Sequence, residues 1–119
     1  MSIRESSISS INYPKISINF ENFQAKAIID TAATISVLSH SFAEKHRLPI
    51  CPTSCRVTSA ADSQRLKIIG ETKICFSINE INFQNFAFLI VKDLFTDVLI
   101  GHDLLKRLPL EITWRQSQF

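Results

Sequence analysis

Apolar and polar residues alternate along the first part of the chain that has a clear pattern. KISINF places apolar side chains at every second position, and FQAKAIID continues from it until Asp30. A period of two is typical of a β-strand with one buried face. Between the two stretches, residues 21 and 22 (EN) suit a tight turn. The pattern therefore predicts a β-hairpin that ends at Asp30.

The remaining chain predicts further short strands and two short helices. One helix is predicted through FAEKHRL, with Ser39 or Ser41 as its cap and Pro49 closing it, and the other through HDLLKRL. NEIN, residues 79–82, predicts a turn between two strands. The predicted strands are TISVLS, RVTSA, RLKIIGETKICFSI, FQNFAFLIV, DVLIG and LEITW. Many short strands and little helix predict a small, mostly β domain.

Size and charge exclude several classes of partner. With 119 residues, 45% of them hydrophobic, the chain suits one domain. Thirteen basic and 11 acidic residues leave a net charge of +2 without a basic stripe, so we expect no nucleic-acid partner. The first residues, MSIRESSISS, are polar and do not read as a signal peptide. No apolar run approaches the roughly 18 residues that cross a membrane, so we expect no membrane partner.

The three cysteines make an odd count, which a disulfide framework does not normally use. They favour a reducing compartment, and we expect a cytoplasmic protein. His46, Cys51 and Cys55 have the spacing H-x4-C-x3-C, which suggests zinc, but no fourth ligand follows. We therefore expect neither a metal nor another cofactor.

Two short stretches carry the chemistry. In AIIDTAATISVLS, residues 27–39, the carboxylate of Asp30 ends an apolar strand and is followed by a hydroxyl residue and two alanines. Small residues let the backbone turn sharply, so this arrangement points an acid into a dry cleft. About seventy residues downstream, DVLIGHDLL reads as an apolar strand, a glycine and a helix. Either stretch alone is weakly specific, whereas both in this order are a strong signal.

This pair of motifs resembles the retroviral-type aspartic proteases, or retropepsins, where D-T-G-A or D-S-G-A precedes an I-G-x-D/N-x-L strand and helix. The proteases of gypsy-like retrotransposons and their domesticated relatives look most similar. The resemblance runs from about Lys15 to Trp114. It implies a small closed-barrel acid-protease fold, with one short C-terminal helix and one lobe per chain. The implied protease domain is residues 15–114, between an N-terminal segment or interface strand, 1–14, and a C-terminal tail, 115–119.

The resemblance also assigns roles to residues. Asp30 would be catalytic, and the Thr31 hydroxyl would brace the active-site loops of two subunits. Gly101 would allow the passage from strand to helix, and Asp103 would begin that helix, where its charge suits the helix dipole. The residues expected to contact substrate are Ile28, Ala32, Ala33, Val37 and Leu99 in the cleft and Ala60, Ala61, Asp62 and Ser63 at the tip of the flap.

The implied reaction needs two carboxylates that share a proton around one water molecule. This chain has a single D-T-x-A motif. We therefore expect a homodimer in which two Asp30 side chains meet on a two-fold axis. The strand ends near Ile112 and Trp114, together with Ile8 and Ile11, are expected to hold it together.

The chain departs from the family at Ala32, where glycine is usual. The added methyl either fits with a small shift or crowds the cleft. The flap also lacks glycine, since the chain has only Gly70 and Gly101. Two functions therefore remain open. One is an endopeptidase that processes a retrotransposon-type polyprotein, either free in the cell or within a virus-like particle. The other is a catalytically silent dimer that binds peptides or acts as a scaffold.

Overall fold

A computed structural model describes residues 13–53 and 67–109. Within these ranges the strands are β1 (Lys15–Phe20), β2 (Gln24–Ile29), β3 (Val37–Ser39), β4 (Lys67–Ile78), β5 (Ile81–Lys92) and β6 (Val98–Ile100), and the helices are α1 (His40–Lys45) and α2 (His102–Leu105). The strands close into a barrel in the order β1-β2-β6-β3-β5-β4. The predicted mostly β, closed-barrel architecture is confirmed. RVTSA and LEITW lie outside the described residues.

The first hairpin forms as the alternation predicts. β1 and β2 pair antiparallel, and Ile16, Ile18 and Phe20 of β1 turn into the barrel. The Phe20 N–H donates to the Phe23 carbonyl at 2.8 Å, and this bond closes the two-residue turn expected at residues 21 and 22. The hairpin ends immediately before Asp30.

The second hairpin joins two 12-residue strands, β4 and β5. Its turn is Asn79–Glu80, both with positive φ (47° and 71°), as a type I′ turn requires of its central residues. Ile78 and Ile81 pair directly across it. This is the turn that the sequence placed at NEIN.

α1 is capped by Ser39, whose Oγ accepts a 3.0 Å hydrogen bond from the Phe42 N–H. The helix ends at Lys45, earlier than the predicted Leu48 and without help from Pro49. Arg47 has a φ of 55°, and its N–H and that of Leu48 donate to the Glu44 and Ala43 carbonyls. That pair of hydrogen bonds is a Schellman motif, which ends the helix before the proline can.

Apolar side chains fill the barrel in one large cluster and one small one. The large cluster includes Phe88, fully buried, with its ring 5.5 Å from that of Phe76 and 5.1 Å from that of Phe86. The small cluster consists of Val37, Leu89, Val91 and Leu99. No helix within the described ranges is long and apolar enough to cross a membrane.

Three short strands carry the two motifs. β6 lies between β2 and β3, parallel to the first and antiparallel to the second. Ile28 and Ile29 of β2 pair with Leu99 and Ile100 of β6. The topology therefore brings the chain after β2 beside the chain after β6, although about seventy residues separate them.

Candidate active site

Asp30 is the first residue after β2. Its N–H donates a 3.0 Å hydrogen bond to the Ile100 carbonyl, which extends the pairing of β2 with β6 by one residue. The next residues turn away from the sheet, and the Ala33 N–H donates back to the Asp30 carbonyl at 3.1 Å. Asp30 is partly exposed, and Thr31 and Ala32 are exposed. The structure thus places the acid at the end of a buried strand, as the sequence predicted, and in the single chain it is partly open to solvent rather than in a dry cleft.

The side chain of Asp30 is held by its own turn. The Ala32 N–H donates a 3.0 Å hydrogen bond to Oδ1 of Asp30. An aspartate that accepts from the backbone two residues later forms an Asx-turn, which fixes the carboxylate relative to the loop. Oδ1 is therefore oriented before any substrate arrives.

Ala32 keeps an ordinary backbone conformation. Its φ is not positive, so this turn does not need the left-handed freedom of glycine. Its N–H makes the hydrogen bond to Asp30 that a glycine would make, and its methyl group is exposed. Within one chain, the departure from the family motif therefore leaves the Asp30 turn intact.

Three expected cleft residues come together in one row. Leu99 pairs with Ile28 on one side and with Val37 on the other, so their side chains share a face of the sheet. Their exposed fractions are only 6%, 8% and 5% in the single chain. Ala33 packs against the small cluster that contains Val37 and Leu99, and it is half-buried. In the single chain this row is therefore exposed only along its edges.

The expected flap tip, Ala60 to Ser63, lies outside the described residues. The same holds for the expected interface residues Ile8, Ile11, Ile112 and Trp114.

Gly101 and Asp103 lie against the loop that follows Asp30. The Asp103 N–H donates to the Thr34 carbonyl at 3.1 Å, and the N–H of His102 donates to the Ala33 carbonyl at 2.8 Å. Asp103 does stand in the first turn of α2, as expected from the helix dipole. Its carboxylate, however, accepts hydrogen bonds from Ser36, a residue that the sequence did not single out. No signal at Ser36 distinguishes it from other small polar residues in a β-rich stretch.

A second unpredicted feature is an aromatic pair. Phe95, 59% exposed, lies in the loop before β6 with its ring 5.7 Å from that of Tyr13. The neighbour of Tyr13, Pro14, accepts a 2.8 Å hydrogen bond from the N–H of Ile29. The pair is thereby tied to the residue that precedes Asp30.

Among the described residues, no group of three His, Cys, Asp or Glu side chains could hold a metal ion. The His46 ring stacks on Phe23 with centroids 3.7 Å apart, and the backbone of Cys51 pairs with Glu71. Cys55 lies outside the described residues. Zinc binding by these three residues has no support in the part of the chain that the structure describes.

Comparison with known proteins identifies the family. The family model "gag-polyprotein putative aspartyl protease" matches residues 15–107. The chain belongs to the retropepsin-like aspartic proteases. The family expected from the two motifs is therefore confirmed. No curated protein sequence matched the chain.

Solved structures of retropepsin-like proteins share the fold. The retroviral protease-like domain of Ddi1 from Leishmania major aligns with a TM-score of 0.60 and 22% identity, over 82% of this chain and 78% of that one. A retropepsin-like aspartic protease from Rickettsia conorii aligns with a TM-score of 0.54 and 19% identity, over 78% of this chain and 69% of that one. At these identities the likeness establishes the closed-barrel fold of this retropepsin-like chain.

Proposed function

We propose that this protein is an aspartic endopeptidase, active as a homodimer, in which the Asp30 carboxylates of two chains activate a water molecule. The observation that carries the proposal is the Asp30 turn. A partly exposed carboxylate follows a buried strand, and the Ala32 N–H holds its Oδ1 in place at 3.0 Å. A fixed acid at an open surface is what a shared catalytic site needs from each chain.

The second carboxylate would come from a second chain. Of the other described aspartates, Asp93 and Asp97 are exposed in the connection between β5 and β6, and the Asp103 carboxylate is bonded to Ser36. None of them stands at a turn like that of Asp30. A two-fold axis beside Asp30 would supply the missing acid and bring the exposed Thr31 of each chain to the same junction.

Peptide hydrolysis by such a pair follows from acid–base chemistry. One carboxylate takes a proton from water while the protonated partner donates to the carbonyl oxygen of the scissile bond. Two like charges held close together cannot both ionise readily, so the pair holds one proton between them. The reaction needs no metal and no cofactor.

The proposed substrate is a polypeptide, and more narrowly the polyprotein of a retrotransposon-type element. The family model that matches the chain is named for gag polyproteins, which supports this class. Processing of such a polyprotein would place the enzyme in the cytoplasm or within a virus-like particle. A flap formed by Ala60 to Ser63 would cover the bound peptide.

A cleavage assay with purified protein tests the proposal. Wild-type protein should cleave a mixed peptide library, and an aspartic-protease inhibitor should stop it. Asp30→Asn should abolish cleavage and leave the circular dichroism spectrum unchanged. Asp93→Asn is the matched control, since Asp93 is an exposed turn residue with a φ of 62°, which asparagine tolerates.

Mixing wild-type and Asp30→Asn protein tests the dimer. At a fixed total concentration, activity should fall with the square of the wild-type fraction, because only dimers with two Asp30 carboxylates react. A linear fall would show that one chain suffices. A folded, dimeric wild type that cleaves nothing would instead support the silent peptide-binding or scaffolding dimer.

A further inference from the structure

The loop that carries Asp30 is fixed at both ends by β6 and the chain that follows it. At its start, the N–H of Asp30 donates to the Ile100 carbonyl at 3.0 Å. In its middle, the Ala33 and Thr34 carbonyls accept from the backbone of α2. At its end stands Ser36, which is fully buried. How Ser36 is held therefore decides how firmly the loop can keep its shape.

Ser36 is held by side-chain hydrogen bonds from both sides. Oδ1 of Asp103 accepts from the Ser36 N–H at 3.0 Å and from the Ser36 hydroxyl at 2.7 Å. The same hydroxyl oxygen accepts from the Gly101 N–H at 2.9 Å. One carboxylate oxygen and one hydroxyl thus join the end of the Asp30 loop to the turn between β6 and α2.

The directions of these bonds require an acceptor at residue 103. Gly101 can only donate through its N–H, so the Ser36 hydroxyl accepts there and must donate elsewhere. The Ser36 N–H also needs an acceptor, because an unpaired buried donor is unfavourable. Oδ1 of Asp103 meets both needs at once. An apolar side chain at this position would leave two buried donors of Ser36 unpaired.

We infer that Asp103, acting through Ser36, is a positioning residue for the Asp30 carboxylate. The inference rests on the proposed function. Asp103 does not touch the reacting atoms. It fixes the far end of a loop whose turn holds Asp30 through the Ala32 N–H, so loosening Ser36 loosens that hydrogen bond. Two Asp30 side chains that must share one water molecule tolerate little displacement.

Two substitutions at Asp103 distinguish the effect of its hydrogen-bond acceptor from the effect of its side-chain size. Asp103→Asn keeps a side-chain oxygen that can accept both Ser36 bonds, and kcat should stay within about threefold of wild type. Asp103→Leu has similar size but no acceptor, and kcat should fall about ten- to a hundredfold while KM changes little. The rescue by asparagine and the split between kcat and KM distinguish positioning from a general loss of folded protein. A folded Asp103→Leu dimer with wild-type kcat would overturn the inference.

Ser36→Ala decides the question if Asp103→Leu does not fold. It removes the hydroxyl but keeps the backbone N–H bonded to Asp103, so kcat should fall by about three- to tenfold, with KM unchanged. In the double variant Ser36→Ala/Asp103→Asn, kcat should be little lower than in Ser36→Ala alone, because the hydroxyl bond to Asp103 is already absent. An unchanged kcat in folded Ser36→Ala would overturn the inference.

Amide hydrogen exchange gives a readout that needs no activity. The Asp30 and Ala32 amides should exchange faster in Asp103→Leu, or in Ser36→Ala, than in wild type and Asp103→Asn. If the wild type cleaves nothing but exchange follows this pattern, the proposed function fails and the positioning stands. If the wild type is active and neither exchange nor kcat responds, the positioning fails and the function stands.

Discussion

Gly101 passes so close to Ile35 that a Cβ atom on it would lie 2.7 Å from the Ile35 carbonyl oxygen and 2.9 Å from the Ile35 nitrogen. The φ of Gly101 is −102°, a value open to any residue, so the requirement for glycine is one of space alone. The chain after β6 and the loop after Asp30 are in backbone contact here. A side chain cannot be added without moving the loop that carries the acid.

Gly101→Ala should therefore destabilise the protein more than Gly70→Ala. At Gly70 a Cβ would also meet backbone, the Cys51 carbonyl, but Ile50 and Cys51 are exposed and joined to the sheet there by a single bridge to Glu71, so moving them disturbs less buried packing. At Gly101 the obstacle is the backbone of Ile35, and the next residue, Ser36, is fully buried. Ile35 therefore cannot shift without disturbing buried packing. We expect a loss near the upper end of about 1–3 kcal/mol for Gly101→Ala and a smaller loss for Gly70→Ala. Urea denaturation measures both, and the reverse order would contradict the argument.

Ala32→Gly should change stability more clearly than turnover. The Asp30 turn has no positive φ at Ala32, so glycine relieves no strain and only adds freedom to the unfolded chain. The free energy of unfolding should drop by about 0.4–1 kcal/mol, and kcat should stay within a few-fold of wild type. Thermal unfolding and a cleavage assay measure the two effects. An inactive wild type whose activity returns in Ala32→Gly would show that the methyl group blocks the shared site.

The cap of α1 can be tested by two serines that lie two residues apart. Ser39→Ala removes the hydroxyl that accepts from the Phe42 N–H in a buried setting and should lower the free energy of unfolding by about 1 kcal/mol. Ser41→Ala, at an exposed position, removes only the 3.3 Å contact of its hydroxyl with that of Ser39 and should change the free energy of unfolding by less than about 0.5 kcal/mol. Chemical denaturation of both variants is the measurement, and equal effects would rule out the assigned cap.

Cleavage should need no metal ion, because two Asp30 carboxylates and a water molecule complete the proposed reaction. A metal chelator should therefore leave kcat/KM unchanged. Loss of cleavage in the chelator that added metal restores would require a different mechanism.

Substrates should carry apolar side chains next to the scissile bond. The partly buried Ala33, Ile35, Ile68 and Leu94 border the small cluster, and in the proposed dimer they would present an apolar edge to a bound peptide. Burying one apolar side chain there contributes roughly 1.5–3 kcal/mol, or about one to two orders of magnitude in kcat/KM. Peptides that differ only in one flanking residue, apolar or charged, measure the preference. Equal cleavage of both would place the bound peptide elsewhere.

The sequence alone predicted the features that depend on neighbouring residues. Alternation with a period of two marked the hairpin that ends at Asp30, and residues 79–82 marked the turn between β4 and β5. The two motifs, each a short run of residues, pointed to the family. Local pattern was sufficient because the pleat of a strand and the conformation of a turn are set by adjacent residues.

The tertiary structure alone decided how the motifs meet. The bonds that join Ser36 to Asp103 and to Gly101 span 67 and 65 positions in the sequence. Neither the serine nor the aspartate lies in a local pattern that indicates so distant a partner. The end of α1 likewise depended on backbone bonds around Arg47 rather than on Pro49. Contacts between distant residues follow from strand order, here β6 between β2 and β3, and a period along one strand does not specify which strand will lie beside it.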